Sequence, residues 1–116
     1  MTDWNAVYAD TRDQQRALFK AAEETTKAFA GLSGAVKSNG PLDLKTKEFV
    51  ALAISVSERC DACIAFHIKA LHKAGGTREE VADVLSMVIQ MGGGPGIMYA
   101  GKALECWDQL IGAAPA

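Results

Sequence analysis

From Leu44 to Ala74 the chain runs 31 residues with no glycine or proline to interrupt it. One helix of that length would far exceed the usual ~11–12 residues, so the stretch has to turn, and the turn is placed at residues 57–60. Asp43, whose short carboxylate suits an N-cap, starts a helix over 44–56. The second half of that helix, Phe49, Val50, Leu52, Ala53, Ile54 and Val56, is apolar nearly all round. A helix with no polar face must be covered on every side, which in so short a chain predicts that a partner subunit covers part of it. Ser57 is the expected N-cap of the next helix. That helix sets Cys63, Phe66/His67, Ala70/Leu71 and Ala74 along one side and stops at Gly75-Gly76.

The flanking segments are helical too. Residues 3–31 read as one long polar-rich helix, with a boundary near Asp10 as an option and Gly31 and Gly34 as stop signals; Ser38-Asn39-Gly40-Pro41 is a loop by composition. Thr77-Arg78-Glu79-Glu80 is a capping box opening a helix with Val81, Val84, Leu85, Val88 and Ile89 at a 3.6-residue period. Gly92-Gly93-Gly94-Pro95-Gly96 should end that helix and start the last one, with Pro95 in the new first turn. Ala113 to Ala116 should fray. No segment sustains period-two alternation, so the expected fold is all-α, a single domain over 1–116 with five to seven helices and short connections.

Composition narrows the function classes. A net charge of −2 and the lack of a basic run argue against nucleic acid. No apolar run approaches the ~20 residues that span a bilayer, and Met1-Thr2-Asp3-Trp4 lacks the basic start and apolar core of a signal peptide. The expected location is the cytoplasm, without membrane partners. Three cysteines in a reducing compartment do not make a disulfide framework, and a Cys-x-x-Cys pair among them fits redox chemistry or metal binding better.

The chemistry concentrates in Cys60-Asp61-Ala62-Cys63-Ile64-Ala65-Phe66-His67. On a helix Cys60 and Cys63 are i,i+3 neighbours, and Cys63 and His67 are i,i+4 neighbours, so all three share a face. A thiol must lose its proton before it attacks, and a histidine at that spacing can take it. Three readings of the pair compete: a redox dithiol, a zinc site with His67, and two cysteines filling core space. A zinc site needs a fourth ligand, and the sole cysteine left, Cys106, reads as a small buried hydrophobe. Within a dithiol, Cys63 is the nucleophile nearest His67, and Cys60, one turn earlier and closer to solvent, is the resolving thiol. Glu48 joins them only if the chain reverses. In a continuous helix it would lie about 18 Å from Cys60, at ~1.5 Å per residue. With a turn near Ser57, Glu48 and His67 sit at almost mirrored distances from it and face each other, so that the carboxylate orients the imidazole. His72 is out of register and reads as surface. Glu23-Glu24 and Lys45/Lys47 read as solvated faces, and the glycines at 92–96 as a turn rather than a phosphate cradle.

Glu48, eleven residues, Cys60-x-x-Cys63, three residues and His67 reproduce a family pattern. The chain resembles the alkylhydroperoxidase D-like branch of the carboxymuconolactone decarboxylase superfamily over residues 40–105. Leu42–Glu48, His72–Glu80 and Gly92-Gly93-Gly94-Pro95 look similar as well. The resemblance implies a helical fold assembling into trimers or hexamers, and a thiol-dependent peroxidase or disulfide reductase. Its site would be Glu48, Cys60, Cys63 and His67. In such proteins the cysteine matching Cys63 attacks the hydroperoxide, the one matching Cys60 closes the disulfide, and the residues matching Glu48 and His67 relay the proton. The redox group would be the Cys60–Cys63 disulfide, with no separate cofactor or metal, re-reduced by a thiol or lipoyl-type donor. One departure is Ala62, where the best-known members carry a second histidine. Two other classes compete: a lyase on a small lactone or acid using His67 and Glu48, and a non-enzymatic metal-binding or assembly module.

Overall fold

The computed structural model describes residues 1–112, and its regular structure is entirely helical. Five helices follow in order: α1 (Trp4–Ala21), α2 (Glu23–Ser38), α3 (Leu44–Ser57), α4 (Asp61–Lys73) and α5 (Arg78–Leu110). The all-α expectation holds, and the count falls within the expected range. The fraying expected at Ala113–Ala116 lies outside the described residues.

The 31-residue stretch does reverse, and α3 and α4 pack against each other as a hairpin. Asp43 caps α3 as expected, its carboxylate accepting from the Thr46 N–H at 2.8 Å. Ser57, however, belongs to the last turn of α3, and Cys60 is the N-cap of α4. The reason lies in how α3 ends. Cys60 N–H donates to Ser55 O and Arg59 N–H to Val56 O, both at 3.1 Å, which is a Schellman closure with Arg59 in the left-handed region at φ 56°. α4 ends by the same device. Gly76 N–H donates to Leu71 O at 2.8 Å and Gly75 N–H to His72 O at 3.0 Å, with Gly75 at φ 94°. The second closure carries the glycine that the geometry favours; the first does not, so no glycine marks that turn in the sequence.

The amino-terminal reading needs correction. The single helix expected over 3–31 is two helices, broken at Ala22 (φ −132°, ψ 56°) and not near Asp10. Gly31 and Gly34 do not stop α2, which continues through both to Ser38. A glycine costs a helix only about 1 kcal/mol relative to alanine, which a docked helix end can offset. Lys47, reaching from α3, supplies that docking by donating to the carbonyls of Val36 (2.6 Å) and Asn39 at the end of α2. Lys45 and Lys47 are therefore not solvated faces. Lys45 pairs with Glu80 at 2.8 Å and holds the Glu80 carboxyl below its usual range.

Trp4 fixes α1 to the end of α5. It is fully buried, its indole N–H donates to Glu105 at 2.9 Å and its backbone N–H to Gln109 at 2.7 Å. Further along, Tyr8 stacks obliquely on Phe66 of α4 at 5.0 Å. The core behind the hairpin is formed by Leu52 and Val56 of α3, Ile64, Ile68 and Leu71 of α4, and Val81, Leu85 and Ala103 of α5.

The capping box opens α5 as expected, Thr77 and Glu80 exchanging bonds at 3.2 and 3.0 Å. The glycine run is an elbow and not a loop. Only Gly93 leaves helical geometry (φ 64°, ψ −141°), a conformation open to glycine, and Pro95 removes one N–H from the ladder beside it. Gly96 meets the first arm closely, since a Cβ there would lie 2.8 Å from Val88 O. α5 also corrects the reading of apolar runs: one 18-residue window reaches mean hydropathy 1.2, long and apolar enough to cross a membrane. Only 22% of that window is buried in the single chain; the elbow divides the helix, and Val81, Leu85, Val88, Ala100 and Ala103 are its contribution to the core of the bundle.

Candidate active site

The turn at 58–60 places the two cysteines at the start of α4, where backbone N–H groups lack helical partners. Cys60 Sγ accepts from the Cys63 N–H at 3.1 Å, so the sulfur itself caps the helix. Negative charge on that sulfur would be favoured by the bond and by the helix dipole. Cys60 and Cys63 form a disulfide, with Cα atoms 5.2 Å apart. Their exposures reverse the expectation: Cys60 is half-buried and Cys63 is exposed. The N-cap position explains this, because it draws Cys60 into the turn and under the end of α3, while Cys63, at the third helical position, faces out.

Glu48 and His67 meet across the hairpin as the mirrored spacing requires. His67 Nδ1 lies 2.8 Å from Glu48 Oε2. The carboxylate is 2% exposed and the imidazole 30%. A carboxylate oxygen can only accept, so facing one Nδ1 is the donor, and in the neutral ring that arrangement leaves the Nε2 lone pair free. One end of the imidazole is thus held and the other is available to a proton. His67 stands one turn beyond Cys63 on α4, at the i,i+4 position.

Lys37 was not visible in the sequence as a site residue. Its ammonium lies 3.2 Å from Glu48 Oε1, so the carboxylate is engaged at both oxygens, by α4 on one and α2 on the other. No local pattern could have found it. It stands on a different helix, eleven residues before Glu48 and beyond the Asn39-Gly40-Pro41 turn. An open cleft of about 390 Å³ reaches Glu48 on this side, lined by Lys37, Leu44, Ala70, Lys73 and Ala74.

The remaining candidates fall outside this cluster. Cys106 is buried, and burial, with the charges of Asp61 and Glu105, pushes its thiol up to about 12; it stays protonated and unreactive at neutral pH. His72 is exposed and meets Trp107 edge-on at 5.8 Å. Ala62 puts no second imidazole beside Cys63. Asp61 has one buried oxygen without a hydrogen-bond partner, and it adds negative charge near the dithiol. Among the described residues, no three of His, Cys, Asp and Glu converge as a metal site.

The arrangement is an exposed sulfur bonded to a capping sulfur, with a carboxylate-anchored imidazole on the same helix, all within an all-α hairpin bundle. The carboxymuconolactone decarboxylase family profile matches residues 23–105, and the chain belongs to that family. It is 39% identical to an uncharacterized protein of Cupriavidus necator, over 94% of this chain and 96% of that one. It is 32% identical to a protein of the cox locus of Paracoccus denitrificans, over 81% and 85%. Among solved structures, a family member from Legionella pneumophila superposes with TM-score 0.87 at 39% identity, covering 91% of this chain and 95% of that one. Another, from Thermotoga maritima, superposes with TM-score 0.77 at 30% identity, over 89% and 88%; its description raises an antioxidative response.

Proposed function

We propose that the chain is a thiol-dependent peroxidase or disulfide oxidoreductase of the alkylhydroperoxidase D-like type, working through Cys60 and Cys63. The observation that carries this reading is the exposed Cys63, bonded to the helix-capping Cys60 on the helix that also carries the anchored His67. In the reduced chain, Cys63 thiolate attacks the distal oxygen of a hydroperoxide. The O–O bond breaks, the alcohol leaves with a proton, and Cys63 becomes a sulfenic acid. Cys60 then displaces hydroxide from that sulfur, water leaves, and the disulfide forms. Two electrons and two protons from a dithiol or lipoyl-type donor restore the start. The donor meets the exposed Cys63, and Cys60 leaves as the thiolate best supported by the helix start. His67 Nε2 takes and returns the proton, and Glu48 holds the ring.

Stopped-flow mixing of the reduced chain with an organic hydroperoxide tests this directly. One disulfide should form per peroxide consumed, with two thiols lost per chain. Unchanged thiol content after peroxide addition would leave the acid–base pair Glu48/His67 as a lyase site instead.

The site is proposed to work in a homo-oligomer, as trimers or hexamers. α2 buries no residue in the single chain, yet presents Phe29, Leu32 and Val36 to solvent at 68, 59 and 55% exposure. Val50 and Ile54 of α3, and Met91 and Met98 beside the α5 elbow, are exposed too. An apolar surface this extensive is uncommon on a monomer. Light scattering is expected to give at least three times the chain mass, and Ile54→Glu or Phe29→Glu to lower it. A wild-type monomer would contradict the assembly.

A further inference from the structure

The buried Glu48 carboxylate has two partners, and only His67 enters the thiol chemistry described above. Lys37 Nζ lies 3.2 Å from Oε1 while His67 Nδ1 lies 2.8 Å from Oε2. The lysine is 45% exposed and the carboxylate 2%, so the ammonium reaches inward from the surface to the half of Glu48 that the imidazole leaves open. It is held there from both sides. α2 contributes no buried residue to the bundle, but Lys47, next to Glu48 on α3, donates to Val36 O and Asn39 O around Lys37. Two consecutive residues of α3 thus grip the end of α2.

We propose that Lys37 is a positioning residue of the thiol-redox site, fixing the proton of His67 through Glu48. An ammonium can only donate, so with Lys37 in place both carboxylate oxygens act as acceptors. Nδ1 of His67 then carries the proton, and Nε2 is the free base. Without Lys37, Oε1 keeps no protein donor and faces only the water of the cleft, a weaker partner than an ammonium, which is costly for a carboxylate so deeply buried. The carboxyl relieves that cost by turning towards the cleft or by taking up a proton. In the first case Nδ1 loses its anchor. In the second a protonated carboxyl can donate to Nδ1, the ring proton moves to Nε2, and the imidazole is in the wrong tautomer to accept a proton from a thiol. Lys73 supplies the control. It lines the same cleft and carries the same charge, but makes no ion pair with Glu48.

This inference rests on the thiol-redox reading for its kinetic part, and its spectroscopic part stands alone. The experiment records the ¹H–¹⁵N imidazole correlation of His67 at neutral pH, with His72→Gln assigning the two histidines. The rate of disulfide formation with an organic hydroperoxide is measured alongside. Wild type is expected to show the Nδ1–H tautomer. Lys37→Met should show mixed or Nε2–H signals and a rate lower by about 10-fold or more, Lys37→Arg should restore both, and Lys73→Met should match wild type. An Nδ1–H tautomer persisting in folded Lys37→Met would overturn the proposal, as would an equal loss in Lys73→Met, which would mark a general charge effect. If wild type consumes no peroxide, the redox reading fails while the tautomer result still decides the role of Lys37.

Discussion

Cys63→Ser is expected to lower peroxide-dependent turnover by at least ~10³-fold while leaving the helical fold intact, because removing a nucleophile removes the covalent route altogether. The side chain is exposed, so the change creates no cavity, and a serine at the third helical position keeps the backbone N–H that Cys60 accepts. Cys60→Ser should behave differently. Its Cys63 still reacts once with peroxide, and a sulfenic acid accumulates that dimedone can trap, since no second thiol displaces it. Coupled turnover assays with mass spectrometry of the trapped adduct distinguish the two variants. A Cys63→Ser protein that kept its rate would sink the redox assignment and favour acid–base chemistry at Glu48 and His67, which needs no sulfur.

Glu48→Leu is expected to separate stability from activity. A buried ion pair loses so much hydration that a well-packed apolar residue of similar size is often neutral or stabilising in its place. Here the partners left behind are tolerant: Lys37 is 45% exposed and His67 30%, and both can turn to water. The melting temperature should therefore stay level or rise. Activity should fall by ~10²-fold, the cost of an unanchored imidazole with no fixed tautomer. Calorimetry and the peroxide assay on the same preparation check both halves. A large drop in melting temperature with an unchanged rate would make Glu48 a structural residue only.

Much of this site was legible because it depends on spacing. The i,i+3 and i,i+4 relations of Cys60, Cys63 and His67 follow from helix geometry, and the reach of Glu48 followed once the chain was required to reverse. What failed was local and has a physical cause in each case. Ser57 was the expected cap because its hydroxyl is a strong local acceptor for the free N–H groups of a helix start. The Schellman closure nonetheless extends α3 through Ser57 and leaves Cys60 at the start of α4. That one shift also inverted the expected exposures of the two sulfurs. Gly31 and Gly34 looked like stops because the weak helical preference of glycine was weighed without the Lys47 contacts that hold α2 from outside.

By itself the sequence determined the helical class, the capping box at Thr77, the reversal before Cys60 and the placing of Cys60, Cys63 and His67 along one stretch with Glu48 opposite His67. Periodicity and capping set the first two, and the length of an unbroken 31-residue stretch, too long for one ordinary helix, set the reversal and the reach of Glu48. The tertiary structure alone decided that Cys63 is the exposed sulfur, that α5 bends at Gly93 without breaking, and that Lys37 closes the second side of the Glu48 carboxylate. The first follows from the turn that makes Cys60 the cap of α4, the second from Gly93 and Pro95 within a packed helix, and the third from which surfaces of separate helices meet. A residue eleven positions away on another helix leaves no periodic trace, whereas a carboxylate facing its histidine across a tight hairpin does.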